Sequence, residues 1–141
     1  MARATRSFKL RLSPAGLDVL IASHCYLIRE TRSLLAWGTT LHVAVEHLGV
    51  CSVDHVGRLL SAVEAQGLWG DEEHHLGAPH RLGDLALDII ERYRTNFVDK
   101  PVPTLGNLYI AALVYLAAGE AGAICTAFRR VQFESGRPRA V

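Results

Sequence analysis

Histidine and carboxylate side chains are concentrated between residues 72 and 80. The segment EEHHLGAPH carries Glu72, Glu73, His74, His75 and His80, which are residue types that bind zinc or change charge near pH 6. Because their spacing matches no standard zinc signature, we expect a solvated loop with no metal site. Protonation of these histidines near pH 6 would change the charge of the loop and so any contact that it makes.

The cysteines are the strongest nucleophiles in the chain. Cys25, Cys51 and Cys125 are far apart, odd in number and form no CxxC pair, which argues against a disulfide framework and favours a reducing, cytoplasmic compartment. His24 precedes Cys25, but adjacent residues of a helix point apart. The chain has no nucleophile elbow and no glycine-rich phosphate loop. We therefore expect no enzymatic activity and no cofactor.

The bulk composition indicates one globular domain. The chain has 141 residues, of which 50% are hydrophobic and 21% charged, and its formal net charge is +1. This near-neutral balance argues against nucleic-acid binding driven by total charge, so a local basic patch is needed. The long apolar stretch 105–128 contains Asn107 and Glu120 and is predicted to pack inside the protein rather than in a membrane. It is expected to form one long helix, or two helices hinged near residues 119–122.

The helices that would position these residues have clear start signals. Ser13 is a candidate N-cap followed by Pro14, and His24 falls on the apolar face of that helix as a packed core residue. Next, a short helix is predicted to end at Gly38. Another helix follows, capped by Thr39 or Thr40 and ended by Gly49 as a left-handed cap.

The stretch 52–66 is the clearest amphipathic helix. Ser52 is its candidate N-cap, and an apolar row recurs at i, i+3, i+4 and i+7, formed by Val56, Leu59, Leu60 and Val63. At 100° per residue, Asp54, Arg58 and Ser61 lie on the outward face, with His55 on its flank. An arginine there can bond guanine or a phosphate, and the helix N-terminus with Ser52 can bind a phosphate. A β-hairpin is predicted next, from residues 68–69 and 80–82, followed by a helix.

The segment AVEHLGVCSVDHVGRLLSAVEAQGLWG resembles the reading head of bacterial winged-helix regulators of the MarR-like family. The matching positions are Ala44, Leu48, Gly49, Val50, Val56, Leu59, Leu60, Val63, Glu64, Gly67 and Leu68. Residues 12–22 and 81–93 resemble the flanking helices, so the resemblance covers roughly residues 12–93. It implies a mostly α winged helix-turn-helix with a small hairpin wing, acting as a homodimeric transcriptional regulator, most simply a repressor, on double-stranded DNA. The wing of the family is basic at its tip, whereas this chain has DEEHH.

These inferences divide the chain into four parts. They are a basic arm (1–11), a winged-helix domain (12–95), a C-terminal helical segment that would form the dimer contact (104–130) and a basic tail (131–141). The predicted DNA-binding residues are Ser52, Asp54, His55, Arg58, Ser61, Arg81, Arg3, Arg6, Lys9 and Arg11.

Two other classes remain open. One is a helical protein–protein adaptor that keeps the winged-helix shape without binding DNA, favoured by the near-neutral charge and the acidic wing. The other is a ribbon-helix-helix DNA binder using residues 7–50, in which SFKLRLS pairs with a second copy and Ser33 begins the second helix. The sequence does not specify an operator or a small-molecule effector.

Overall fold

A computed structural model describes residues 5–135, and this part of the chain is mostly helical, as predicted, with a small two-stranded antiparallel sheet. Arg3 and the tail beyond residue 135 lie outside the described residues. In chain order the elements are β1 (Thr5–Leu12), α1 (Pro14–Thr31), α2 (Trp37–Leu48), α3 (Val53–Ala65), β2 (Glu72–Pro79), α4 (His80–Asn96), α5 (Leu105–Ala117) and α6 (Ala121–Ser135).

Three helices begin at a hydroxyl-bearing N-cap. The Ser13 hydroxyl oxygen accepts a hydrogen bond from the Gly16 amide at 3.1 Å, and Pro14 occupies the first turn of α1. The Ser52 hydroxyl oxygen accepts from the His55 amide at 3.2 Å at the start of α3. Both caps were predicted from the sequence and are confirmed. Thr104 caps α5 in the same way.

The region around α2 differs from the prediction. No helix lies between α1 and α2: Arg32 ends α1 in the left-handed conformation, with a φ of 55°. Gly38 does not stop a helix but lies in the first turn of α2, whose N-cap is Ala36 rather than Thr39 or Thr40. Gly49, predicted to be left-handed, has a φ of −62°. Tertiary packing explains why position 38 is a glycine without being a helix stop. A Cβ atom at Gly38 would overlap the backbone carbonyl of Gly77.

The sheet joins two segments that are distant in sequence. β1 and β2 are antiparallel, with Thr5 opposite Pro79 and Leu12 opposite Glu72. The predicted hairpin is therefore wrong in its strands, since 72–79 is itself a strand and His80 begins α4. β1 supplies an apolar face and the backbone groups that pair with β2. A pairing between distant segments thus takes the place of the predicted hairpin. The ribbon-helix-helix alternative requires β1 to pair with a second copy of the chain and a helix to begin at Ser33. Instead, β1 pairs with β2 of the same chain, and α2 begins at Trp37.

α5 lies at the centre of the hydrophobic core. Every residue from Leu108 to Leu113 is buried, as is Leu116, and the helix packs on α1, α2 and α3. Of the two predicted alternatives, one long helix or two helices hinged near residues 119–122, the structure has the second, because α5 ends at Ala117 and α6 begins at Ala121. Since α5 shares one core with the preceding helices, residues 104–130 do not form a segment separate from 12–95.

No helix within residues 5–135 combines the length and the apolarity needed to cross a bilayer.

Candidate nucleic-acid interface

α3 divides into a buried and an exposed face along the predicted line. Val56, Leu59 and Val63 are buried, and Leu60 packs against the core from a half-buried position. Asp54, Arg58 and Ser61 are exposed on the opposite side. The helix is thus held by its apolar row, while one acidic, one basic and one hydroxyl side chain face solvent together.

Two arginines lie near the N-terminal end of α3. Arg92 of α4 donates a hydrogen bond from Nη2 to the carbonyl oxygen of Gly49 at 3.0 Å, which ties α4 to the turn before α3. Burial raises the pKa of the Cys51 thiol, and the nearby charges of Arg58 and Arg92 partly oppose that effect. Both guanidinium groups therefore act on the turn that joins α2 to α3.

Aromatic contacts fix this end of α3 against α5. The His55 ring meets the Tyr115 ring edge-on at a centroid distance of 5.1 Å, and His47 stacks on the same ring at 4.4 Å. Interaction with the Tyr115 hydroxyl also opposes the rise in the pKa of the Cys51 thiol that burial causes. His55 is half-buried, so this predicted DNA-binding residue also has a packing role.

The N-terminus of α3 retains free hydrogen-bond donors. Ser52 satisfies the amide of His55, which leaves the amides of Val53 and Asp54 without an intrahelical partner. Such amides and the positive end of the helix dipole favour an anion. Asp54 already supplies a negative charge in this first turn, so a phosphate would have to approach from the side of Arg58 or Arg92.

Arg81 is not brought to α3. It lies in the first turn of α4, about 16 Å along the helix from Arg92, and its Nε is 3.3 Å from the Glu134 carboxylate. There it lines a cavity of about 830 Å³ together with residues of α6, including Arg129 and Arg130.

The basic residues of the predicted arm form part of β1. Lys9 and Arg11 alternate with buried Leu10 and Leu12. The Arg11 guanidinium lies over the Trp69 ring at 5.4 Å, and that of Arg6 lies over the Phe8 ring at 5.3 Å. These cations line a cleft beside the start of α5 and do not surround the N-terminus of α3.

Residues 72–75 were predicted to form a solvated loop, but they belong to the strand β2. Their histidines and carboxylates form pairs along this strand. His74 and Glu72 are 2.7 Å apart, and His75 and Glu73 are 2.9 Å apart. Because side chains alternate across a strand, the two pairs face opposite sides. The hydrogen bond from His75, followed by the charge of Lys9, lowers the pKa of Glu73. Within residues 5–135, no three His, Cys, Asp or Glu side chains are grouped to hold a metal ion.

Comparison with protein-family models, curated proteins and solved structures finds no match for this chain.

Sequence reasoning missed three residues of this region. Arg92 and Tyr115 contact the α2–α3 turn from distant helices, and no local pattern marks such contacts. Trp69 was assigned to a hairpin strand, although it forms only an isolated bridge with Leu12. In the sequence Trp69 is followed by Gly70 and Asp71, and nothing there marks its contact with Arg11.

Proposed function

We propose that this protein is a sequence-specific DNA-binding regulator that acts as a homodimer and inserts α3 into the major groove. The proposal rests on one observation: α3 is anchored by its apolar row while Asp54, Arg58 and Ser61 face solvent. A helix joined to its predecessor by the four residues 49–52 has the connection length typical of a helix-turn-helix unit.

Arg58 is the central contact in this proposal. It is exposed, and it forms no ion pair with the described residues, in contrast with Arg81 and Arg130. An arginine at the centre of an exposed helix face can bond two acceptor atoms of guanine, and a good contact of this kind contributes about 1–3 kcal/mol of discrimination.

The neighbouring groups have complementary roles. Ser61, one turn after Arg58, can bond a base or a phosphate. Asp54 can accept a hydrogen bond from the amino group of cytosine. Arg92 and the free amides at the start of α3 supply phosphate contacts. Because residues 72–79 form a strand paired with β1, the proposal assigns no groove contact to a wing hairpin.

A second candidate is a protein–protein adaptor, favoured by the charges on α3. The exposed residues of α3 include two carboxylates, Asp54 and Glu64, but a single cation, Arg58. Such a face attracts DNA weakly, because phosphate contacts supply much of protein–DNA affinity.

Selection from a pool of random duplex DNA tests the two candidates. A dimeric regulator enriches a two-fold symmetric site whose half-sites are about one helical turn apart. Failure to enrich any sequence at low salt would contradict the DNA proposal and favour the adaptor.

A further inference from the structure

A cleft of about 390 Å³ runs along the outer edge of β1. It is lined by Arg6, Ser7, Phe8, Lys9, Arg11, Trp69, Thr104, Leu105, Gly106 and Tyr109. Neighbouring residues on both faces of β1 contribute to the lining, whereas β2 contributes none. The cleft therefore follows the edge of β1 that is turned away from β2, with the first turn of α5 as its opposite wall.

This edge of the sheet is open over most of its length. At one end, the Arg11 carbonyl oxygen accepts a hydrogen bond from the Gly70 amide at 3.3 Å, and the Ser13 amide donates to Leu68 at 3.0 Å. From Thr5 to Lys9, no second strand within residues 5–135 pairs with it. The backbone groups of Ser7 and Lys9, which share the outward direction of Arg11, can thus accept another strand.

The side chains around the edge are cationic. Arg6, Lys9 and Arg11 line the cleft, and no carboxylate does. Glu73, which lies 3.9 Å from Arg11, belongs to β2 and is outside the lining. The start of α5 adds the amides of Leu105 and Gly106 and the positive end of a 13-residue helix. All of these features favour a negatively charged occupant.

We infer that the edge of β1 binds an extended acidic segment of another protein as a third strand of the sheet. Main-chain hydrogen bonds to Ser7 and Lys9 would supply affinity, as in other strand-addition complexes. The flanking cations select acidic side chains, and the partly exposed Trp69 and Leu105 offer contact to an apolar residue. This interface is independent of α3.

Other occupants fit less well. A second copy of β1 would place the cations of one strand close to those of the other, which is unfavourable. Single-stranded nucleic acid needs exposed rings for stacking. Phe8 and Tyr109 are each only 3% exposed, which leaves Trp69 as the single ring of the cleft lining that could stack on a base.

The test uses the full-length protein and a fluorescein-labelled peptide of seven residues in which glutamate alternates with valine. We expect saturable binding by anisotropy at low salt, and hydrogen exchange at the Ser7 and Lys9 amides should slow. A peptide with lysine in place of glutamate should bind at least about tenfold more weakly. Methylation of alternate backbone nitrogens of the peptide, in the register that faces β1, should have a similar effect because it removes the ladder donors.

Two variants locate the binding. Lys9→Glu should weaken the peptide complex, whereas Arg29→Ala, which removes an exposed cation of α1, should not. Arg58→Ala should also leave peptide binding unchanged, so failure of the DNA proposal and failure of this inference give different results. Absence of binding, equal binding of the lysine peptide, insensitivity to N-methylation or insensitivity to Lys9→Glu would each overturn the inference. The inference would also be overturned if the protein bound oligo-dT but not the peptide, and if Lys9→Glu abolished the binding of oligo-dT.

Discussion

Gly38 in the first turn of α2 packs directly on Gly77 of β2, so closely that a Cβ atom at Gly38 would overlap the Gly77 carbonyl oxygen. This contact holds the sheet against α2, a helix in which nine of the twelve residues are buried. The space at this crossing is set by the backbone of both elements.

Gly38→Ala should therefore reduce the free energy of unfolding by about 3 kcal/mol or more, since neither backbone can move without breaking other contacts. Urea unfolding measures the change. Gly122→Ala is the matched control, because it lies in a helix with nothing near the added Cβ, and it should stabilise the protein by up to about 1 kcal/mol. Equal effects of the two substitutions would contradict the close packing.

Ser13 connects the start of α1 to the end of α3. Its hydroxyl oxygen accepts from the Gly16 amide, and its hydroxyl donates to the Gly67 carbonyl at 2.6 Å. Ser13→Ala loses both bonds and should cost about 2 kcal/mol, whereas Ser52→Ala loses one capping bond and should cost about 1 kcal/mol. The reverse order in chemical denaturation would contradict this dual role.

The position of α5 in a single core predicts the effect of truncating Leu113. This side chain is fully buried, so Leu113→Ala should cost about 2–5 kcal/mol and leave one cooperative unfolding transition. Leu87→Ala, at an exposed position of α4, should change the unfolding free energy by less than about 0.5 kcal/mol. Two separate transitions by circular dichroism would indicate that the C-terminal helices fold independently.

The buried histidines predict loss of stability on mild acidification. Burial lowers the pKa of His42 and of His47 below the ordinary value of 6.5, and Nε2 of His42 has no hydrogen-bond partner among the described residues. The unfolded chain binds protons at these groups as the pH falls below 6.5, while the folded protein does so only at lower pH. Folding is therefore most stable above pH 6.5 and weakens below it, by at most about 1.4 kcal/mol per pH unit for each histidine.

Urea unfolding at pH 7.5, 6.5 and 5.5 measures this dependence. His42→Gln should make the loss between pH 6.5 and 5.5 smaller, whereas Leu87→Ala, at an exposed position and with no titratable group removed, should not. The lowered pKa of Glu73 acts below its ordinary value of 4.5, outside this window. Unfolding free energies that are constant from pH 7.5 to 5.5 would contradict the assignment.

Features encoded by neighbouring residues could be predicted from the sequence. The caps at Ser13 and Ser52, the apolar row of α3 and the break between α5 and α6 depend on local spacing and local hydrogen bonds. The outward positions of Asp54, Arg58 and Ser61 follow directly from helical geometry once that row is known.

Features set by distant contacts could not be predicted in this way. β2 contains Glu72, Glu73, His74 and His75, which are weak indicators of a strand, and it is a strand because β1 pairs with it from the other end of the domain. Gly38 looks like a helix stop in sequence but is required by the approach of β2. Arg92 reaches the α2–α3 turn only after α4 has packed, so its position depends on the complete fold.

The central claim is that Arg58 contacts DNA from the exposed face of α3. The most direct measurement is the affinity for the selected DNA site of the wild-type protein, Arg58→Ala and the control Arg29→Ala. Alanine preserves the helix, so Arg58→Ala should weaken binding by about 1–3 kcal/mol, or roughly 5- to 150-fold, while Arg29→Ala binds as the wild type does. Equal affinity of all three proteins would contradict the claim.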